Sequence, residues 1–370
     1  MPNSNPYRII ISAGGTGGHI YPAVAVANML KEMLPNVEFL FVGALGRMEM
    51  EKVPKAGFPI VGLPIAGIQR RFTLENLKFP FKLWKSLRMA RKLVKDFKPD
   101  VAVGFGGYAS GPMLKASAKQ GVTTVLQEQN SYAGITNKWL AKSASKICVA
   151  YENMDKFFPA NKIVFTGNPV RKDLNEVSAK RDAALMHFKL DSAKPVVLVI
   201  GGSLGARTIN ESMASSLEKF AKADVQLLWQ TGKSYGDKGR EVTSKYADKG
   251  IFAHEFIYEM DLAYAAADVV ISRAGALSIS ELCLVEKPVV LVPSPNVAED
   301  HQTMNAMALV NRGAAKLVRD VEAREKLTDV TLDLVADKAE QERLSSEIKK
   351  LAKPKAAAEI SQQIIDLIQK

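Results

Sequence analysis

Arg8-Ile-Ile-Ile-Ser-Ala-Gly-Gly-Thr-Gly-Gly-His19 sets a short β-branched run directly against a cluster of glycines, and an apolar helical pattern follows from about Tyr21 to Leu34. Pro195-Val-Val-Leu-Val-Ile-Gly-Gly-Ser-Leu-Gly-Ala206 repeats the arrangement, with a helix expected from Ala206 to about Phe220. The two loops begin 187 residues apart, at Gly14 and Gly201. A run of Val and Ile without alternation suits a strand buried on both faces, as in a parallel sheet covered by helices. A glycine turn from such a strand into a helix lets backbone N–H groups approach an anion at the positive end of the helix dipole. Two such units predict two Rossmann-like α/β domains with parallel sheets facing each other across a cleft.

The rest of the chain fits that frame. Strands are expected near Glu38–Val42, Val101–Gly104, Thr123–Gln127, Lys146–Ala150 and Ile163–Thr166, then near Gln226–Trp229, Val269–Ser272 and Val289–Val292. Between them, Arg171 to Lys194 is polar and ends in Lys-Pro, which reads as a linker with a peripheral helix. The expected division is a first domain over residues 1–171, a second over 172–345, and a charged helical segment, 346–370, returning to the first domain. A chain of 370 residues exceeds the size at which one core usually stops growing, so two cores are the natural expectation.

Composition narrows the class. Hydrophobic residues make up 47% and charged residues 24%, as in ordinary globular proteins. No apolar run reaches the roughly 18 residues that a membrane span requires, and the polar start, Met1 to Tyr7, does not read as a secretory signal. Cys148 and Cys283 sit far apart in apolar stretches and read as buried free thiols. The net charge of +11 is concentrated: from Arg70 to Lys98 ten basic residues face two acidic ones, which places +8 in one short segment.

Neither glycine loop fits a nicotinamide-binding fingerprint. Gly18, His19 and Ile20 follow Gly15-Thr-Gly17, and Ser203 stands where the second loop needs a glycine. Thr231-Gly-Lys-Ser234 ends like a P-loop, but Leu227 occupies the position of its leading glycine. There is no Asp-x-Asp pair, and His187 and His254 lack a second ligand at helical or hairpin spacing, so neither metal nor cofactor is expected. The charge of any phosphate group held at these loops would then fall to backbone N–H groups, helix dipoles and arginine.

Six blocks occur in order: Gly14-Gly-Thr-Gly-Gly-His19 with Pro22, Gly106-Gly-Tyr-Ala-Ser-Gly-Pro112, Gln127-Glu-Gln-Asn130, Gly167-Asn-Pro-Val-Arg171, Gly201-Gly-Ser-Leu-Gly-Ala-Arg207 and Ser272-Arg-Ala-Gly-Ala-Leu-Ser-Ile-Ser-Glu281. Over nearly its whole length the chain thereby resembles the bacterial N-acetylglucosaminyltransferases of peptidoglycan synthesis. The resemblance implies the GT-B fold and inverting transfer from UDP-N-acetylglucosamine to lipid I, the undecaprenyl-pyrophosphoryl-muramyl-pentapeptide, giving lipid II. It also implies residue roles. Thr16, Gly17 and Gly18 would touch the donor, Asn130 and Gln302 would bind its sugar, and Arg171 and Ser203 would meet nucleotide and phosphate. Ile257 would read uracil through its backbone. Gln302 closes an Asn296-Val-x-x-Asp-His-Gln302 segment whose form is found in only part of the family.

Two residues admit competing readings. Ser278-Ile-Ser-Glu281 matches a capping box, in which Glu281 would bond its own helix start; the resemblance places the same carboxylate on ribose. For the general base, a neutral imidazole suits removal of a proton from the acceptor hydroxyl at cellular pH, and a helix N-terminus disfavours imidazolium. His19 is therefore the expected base, with Glu128 the runner-up.

In the basic segment, Leu83, Leu87, Ala90, Val94 and Phe97 recur at helical spacing. Lys85, Arg88, Lys92 and Lys95 lie on a neighbouring stripe, close to Phe72, Phe79, Phe81 and Trp84. Residues 70–98 are expected to dock on an anionic membrane, as a peripheral contact at the cytoplasmic face of the inner membrane. No nucleic-acid motif accompanies the charge. Two other functions use the same frame: a UDP-sugar epimerase, or a non-catalytic membrane-binding protein gated by a nucleotide sugar.

Overall fold

The computed structural model describes residues 6–67, 79–202, 204–297 and 300–369, without the side chains of Lys172 and Asn175. Residues 70–78 of the basic segment and Ser203 therefore lie outside the described residues.

The chain forms two compact units, residues 1–170 with 354–370 and residues 171–353. The first is built on seven parallel strands: β1 (Tyr7–Ser12), β2 (Val37–Ala44), β3 (Ile60–Leu63), β4 (Val101–Gly104), β5 (Thr123–Glu128), β6 (Lys146–Val149) and β7 (Ile163–Phe165). They lie in the order β3-β2-β1-β4-β5-β6-β7. Ile9, Ile10 and Ile11 of β1 are fully buried, as the unbroken apolar run requires of a central strand covered on both faces.

The second unit repeats this with β8 (Val196–Ile200), β9 (Gln226–Gln230), β10 (Ile251–His254), β11 (Val269–Ser272), β12 (Val289–Leu291) and β13 (Lys316–Leu317), ordered β10-β9-β8-β11-β12-β13. In both sheets the order reverses direction beside the strand that carries the glycine loop. That reversal is the crevice where open α/β sheets bind ligands, outside the carboxyl ends of the strands.

Three strands absent from the sequence reading, β3, β10 and β13, are all at sheet edges. Edge strands bury less and need less apolar sequence; β13 is only two residues long and β3 is interrupted by Gly62. The helix after the first glycine loop runs Gly17–Met33, earlier than the expected start at Tyr21. The single helix expected after the second loop is two, Arg207–Ala214 and Leu217–Lys222, separated at Ser215 and Ser216.

The boundary expected at residue 346 falls later. The Lys338–Lys349 helix buries Ile348 in the core of the second unit, and the chain joins the first unit only from Pro354. The helix Ala356–Ile368 then packs on Gly17–Met33. It places Ile360, Ile364 and Ile365 in one cluster with Ile20, Ala23, Val26 and Ala27.

Candidate active site

In the first unit the Ala13–Gly18 loop leaves β1 and enters its helix with Thr16 as an extended N-cap whose hydroxyl makes no capping bond. Thr16 is exposed, while Gly17, Gly18 and His19 are half-buried. His19 occupies the third helical position, and its Nδ1 lies 2.8 Å from the Gly14 carbonyl oxygen. A carbonyl oxygen only accepts, so Nδ1 carries a proton, and in the neutral ring Nε2 is the unprotonated nitrogen. Nε2 faces Gly106, where an added Cβ would come within 3.0 Å of it. The next residue, Gly107, has φ +87° and packs so closely on the Gly14 carbonyl that any side chain would overlap it. The loops following β1 and β4 thus interlock at the point where the strand order reverses.

Glu128 ends β5 and is 2% exposed. Its Oε1 accepts from the Asn130 backbone N–H at 3.1 Å and from Asn130 Nδ2 at 3.3 Å. Its Oε2 accepts from the Gly134 N–H at 3.0 Å and Asn137 Nδ2 at 2.9 Å. Both carboxylate oxygens are thereby committed to donors from Asn130, Gly134 and Asn137. These bonds tie Glu128 to the segment that carries Asn130.

In the second unit the structure excludes the capping reading of Glu281. The helix runs Ala276–Val285 with Gly275 at its N-cap and no side-chain capping bond, so Glu281 lies inside it rather than in its first turn. The capping box is a match of letters only. The Glu281 carboxylate, 18% exposed, instead accepts from the Tyr264 hydroxyl at 3.2 Å and faces Arg171 Nε at 3.5 Å. Burial raises its pKa above the usual carboxylate range, opposed by the Arg171 charge. Burial, then the nearby Glu281 charge, pushes the Tyr264 phenol well up, so it stays a donor.

At Ile257, expected to read uracil through its backbone, the N–H is donated to Gln230 Oε1 at 3.0 Å, and both residues are buried. Its carbonyl is the backbone group that can serve a ligand while that bond stands. Ile257 also lines a cavity of about 330 Å³ with His187, Phe188, His254 and Phe256. His187 and His254, far apart in sequence, flank Phe188 at ring-centroid distances of 4.7 and 6.0 Å. Burial and then His187 lower the His254 pKa.

The second glycine loop packs backbone on backbone: a side chain on Gly205 would overlap the Thr231 carbonyl. Asn210 locks that contact, donating to Thr231 O at 2.8 Å and accepting from Trp229 Nε1 at 3.1 Å. The P-loop-like Thr231-Gly-Lys-Ser234 therefore buttresses the glycine loop, with Ser234 Oγ donating to the Leu204 carbonyl at 3.1 Å. Gln302 Oε1 accepts from the Ser294 N–H at 2.9 Å, which turns its carbonyl inward to its own loop. Both cysteines are buried free thiols, with pKa raised to about 12 by burial. Among the described residues, no group of three or more His, Cys, Asp or Glu is arranged to hold a metal ion.

Two residues that shape these sites escaped the sequence reading. Tyr264, in Ala263-Tyr-Ala-Ala266, looks like core and is core apart from its hydroxyl. Glu49, in the charged run Met48-Glu-Met-Glu-Lys52, looks like solvated helix surface yet is fully buried against the first glycine loop. Nothing in the local pattern distinguishes Glu49 from Glu51.

Two parallel-sheet units, each with a glycine loop at its switch point, constitute the GT-B architecture. The family models agree: the glycosyltransferase family 28 N-terminal domain matches residues 9–149, and the C-terminal domain of the same family matches residues 196–362. The chain belongs to glycosyltransferase family 28. It is 56% identical over 98% of its length to the Parabacteroides distasonis UDP-N-acetylglucosamine--N-acetylmuramyl-(pentapeptide) pyrophosphoryl-undecaprenol N-acetylglucosamine transferase, covering 99% of that protein. The Cytophaga hutchinsonii protein of the same name is 54% identical, over 100% of this chain and 99% of the relative. Among solved structures, Acinetobacter baumannii MurG superposes with a TM-score of 0.78 at 29% identity, covering 98% of this chain and 99% of that one. A UDP-N-acetylglucosamine 2-epimerase superposes with a TM-score of 0.65 at 16% identity, covering 98% and 96% of the two chains, a likeness of fold alone.

Proposed function

We infer that the chain transfers N-acetylglucosamine from UDP-N-acetylglucosamine to the muramyl-pentapeptide pyrophosphoryl-undecaprenol acceptor, lipid I, forming lipid II for peptidoglycan synthesis. The observation that carries this reading is that relatives more than half identical along essentially the whole chain bear that activity in their names. On this reading the chemistry is a direct displacement at the anomeric carbon. Nε2 of His19 takes the proton of the acceptor hydroxyl as its oxygen attacks the anomeric carbon. The bond from that carbon to the diphosphate oxygen breaks, UDP leaves with the electron pair, and a single displacement inverts the centre.

Glu281 accepts from the ribose hydroxyls, the Ile257 carbonyl meets the uracil N–H, and the Gln302 amide N–H groups, Asn130 and Thr16 with Gly17 and Gly18 address the sugar. Phosphate charge is met by N–H groups of the second glycine loop, including Ser203, by the helix that follows it, and by Arg171. No cofactor or divalent cation takes part. Labelled donor incubated with a short-chain lipid I analogue in excess EDTA should yield the disaccharide product. Free epimer in its place, no product, or product only after Mg²⁺ or Mn²⁺ is restored would each overturn part of this reading.

Donor binding offers a second check. Glu281→Ala removes a charged acceptor and is expected to weaken UDP binding by about 1.5–3 kcal/mol, roughly 10–150-fold in Kd. Because Gly275 caps the helix, the loss cannot be ascribed to a missing cap. An unchanged Kd by calorimetry would remove Glu281 from the donor site.

The acceptor is lipid-linked, and no helix of the described residues is long and apolar enough to cross a membrane. On the Phe79–Phe97 helix, Ser86, Ala90 and Val94 are buried, while Phe81 and Trp84 are 66% and 56% exposed. At about 3.6 residues per turn, Phe81, Trp84, Lys85, Arg88, Lys92 and Lys95 share the opposite face. All six are exposed. Phe81 stacks on Trp84, and the Arg88 guanidinium lies 5.8 Å from the Trp84 ring. A solvated basic face needs no pair of large exposed aromatics at its centre; an anionic bilayer interface uses both. On this reading the stripe is the membrane contact, and the protein works as a peripheral protein at the cytoplasmic face of the inner membrane.

A further inference from the structure

We propose that Glu49 is a positioning residue that acts on His19 through the peptide group joining Gly14 and Gly15. Glu49 is fully buried at the start of the Glu49–Lys55 helix. A carboxylate so placed needs hydrogen bonds to offset its desolvation. Two are present: Oε1 accepts from the Ala44 N–H at the end of β2, and Oε2 accepts from the Gly15 N–H, each at 2.9 Å. The helix dipole adds a favourable field at that end.

The Gly15 N–H and the Gly14 C=O are the two polar ends of one planar peptide unit. On its other side the Gly14 carbonyl accepts the His19 Nδ1–H at 2.8 Å. The order is therefore carboxylate, peptide, imidazole. Hydrogen bonds in such a series polarise one another, so the carboxylate makes the Gly14 oxygen a stronger acceptor and fixes the orientation of its plane. In a Ser-His-Asp triad a carboxylate holds the imidazole tautomer directly; here one peptide is interposed. The close fit supports a dedicated arrangement. An added Cβ on Gly14 or Gly43 would run into the Glu49 side chain, and one on Gly107 into the Gly14 carbonyl. The peptide is bonded at both of its polar ends, to Glu49 through the Gly15 N–H and to His19 through the Gly14 oxygen. Glu49 itself touches no substrate in this scheme, which rests on His19 being the base.

Glu49→Gln keeps the volume but turns an NH2 toward one of the two backbone N–H groups. The first readout is the tautomer of His19, from ¹⁵N spectra of histidine-labelled protein above the imidazole pKa. The parent is expected to show the Nδ1–H form alone, and Glu49→Gln a mixture with the Nε2–H form. The second is turnover: kcat should fall about tenfold with donor KM little changed, and the same substitution added to His19→Ala should cost almost nothing more. If His19→Ala retains the parent kcat, the base assignment fails whatever Glu49 does. If His19→Ala is impaired but Glu49→Gln keeps both parent kcat and a pure Nδ1–H tautomer, the base stands and the positioning role is overturned. Equal losses in the parent and His19→Ala backgrounds would also overturn it, since they mark a general structural defect. Should Glu49→Gln fail to fold, an Nε2–H tautomer in the parent would refute the scheme and an Nδ1–H tautomer would support it.

Discussion

His19→Ala is expected to lower kcat by about 10²–10⁴-fold, the usual contribution of a positioned general base. UDP affinity should be unchanged, because the nucleotide contacts proposed above lie on Arg171, Ile257, Glu281 and the second glycine loop. The side chain is only half-buried, so the folded protein should lose little stability. His19→Gln makes the comparison sharper: an amide can donate to Gly14 in place of Nδ1–H but cannot take up a proton at neutral pH. It should be as inactive as alanine. Steady-state kinetics with a soluble acceptor, alongside UDP calorimetry, decides the matter. A loss of less than tenfold in both variants would move the base elsewhere, and Glu128, tied to four donors, would need its loop rebuilt to take over.

Lys85→Glu combined with Lys92→Glu should sharply weaken binding to vesicles containing phosphatidylglycerol. Each basic residue near an anionic surface contributes about 1 kcal/mol, so reversing two charges removes roughly 4 kcal/mol at low salt, on the order of a thousandfold in affinity. Both residues are exposed and opposite the buried face formed by Ser86, Ala90 and Val94, so the helix should fold as before. Turnover on a water-soluble acceptor analogue should stay near normal while activity on vesicle-embedded acceptor collapses. Residual binding should persist through Phe81 and Trp84, whose insertion depends less on ionic strength, whereas the lysine contribution is screened within a Debye length. Equal flotation of parent and double variant at low salt would reduce the stripe to a solvated surface.

The sheets were legible in the sequence because their central strands must be apolar on both faces. Ile9-Ile-Ile11 and Val196-Val-Leu-Val-Ile200 could hardly be anything else. The edge strands β3, β10 and β13 were not, since an edge needs little apolar sequence to pair. For the site, the glycine loops and His19 were readable through turn chemistry, but the direction of a side chain was not. Glu281 had the spacing of a cap and turned out to lie well inside its helix, because the cap sits at Gly275. Which backbone group of Ile257 stays open to a ligand could not be read either, because the N–H is taken by Gln230 from β9. Glu49 shows the limit most clearly: its burial depends on the Gly14 and Gly43 backbones leaving space for a carboxylate, a condition set by three segments at once.

The helix Ala356–Ile368 has a bearing on how the protein is born. Its three buried isoleucines, Ile360, Ile364 and Ile365, complete an apolar layer whose other buried members lie in the first 150 residues. During synthesis that layer stays open while all of residues 171–353 leave the ribosome, an interval of roughly 10–40 s at 5–20 residues per second. The contiguous second unit can close as it emerges, so the half made first is the half finished last. For that interval the exposed face of the Gly17–Met33 helix is a natural client for chaperones, and a nascent chain stalled before residue 356 would carry the same unfinished surface.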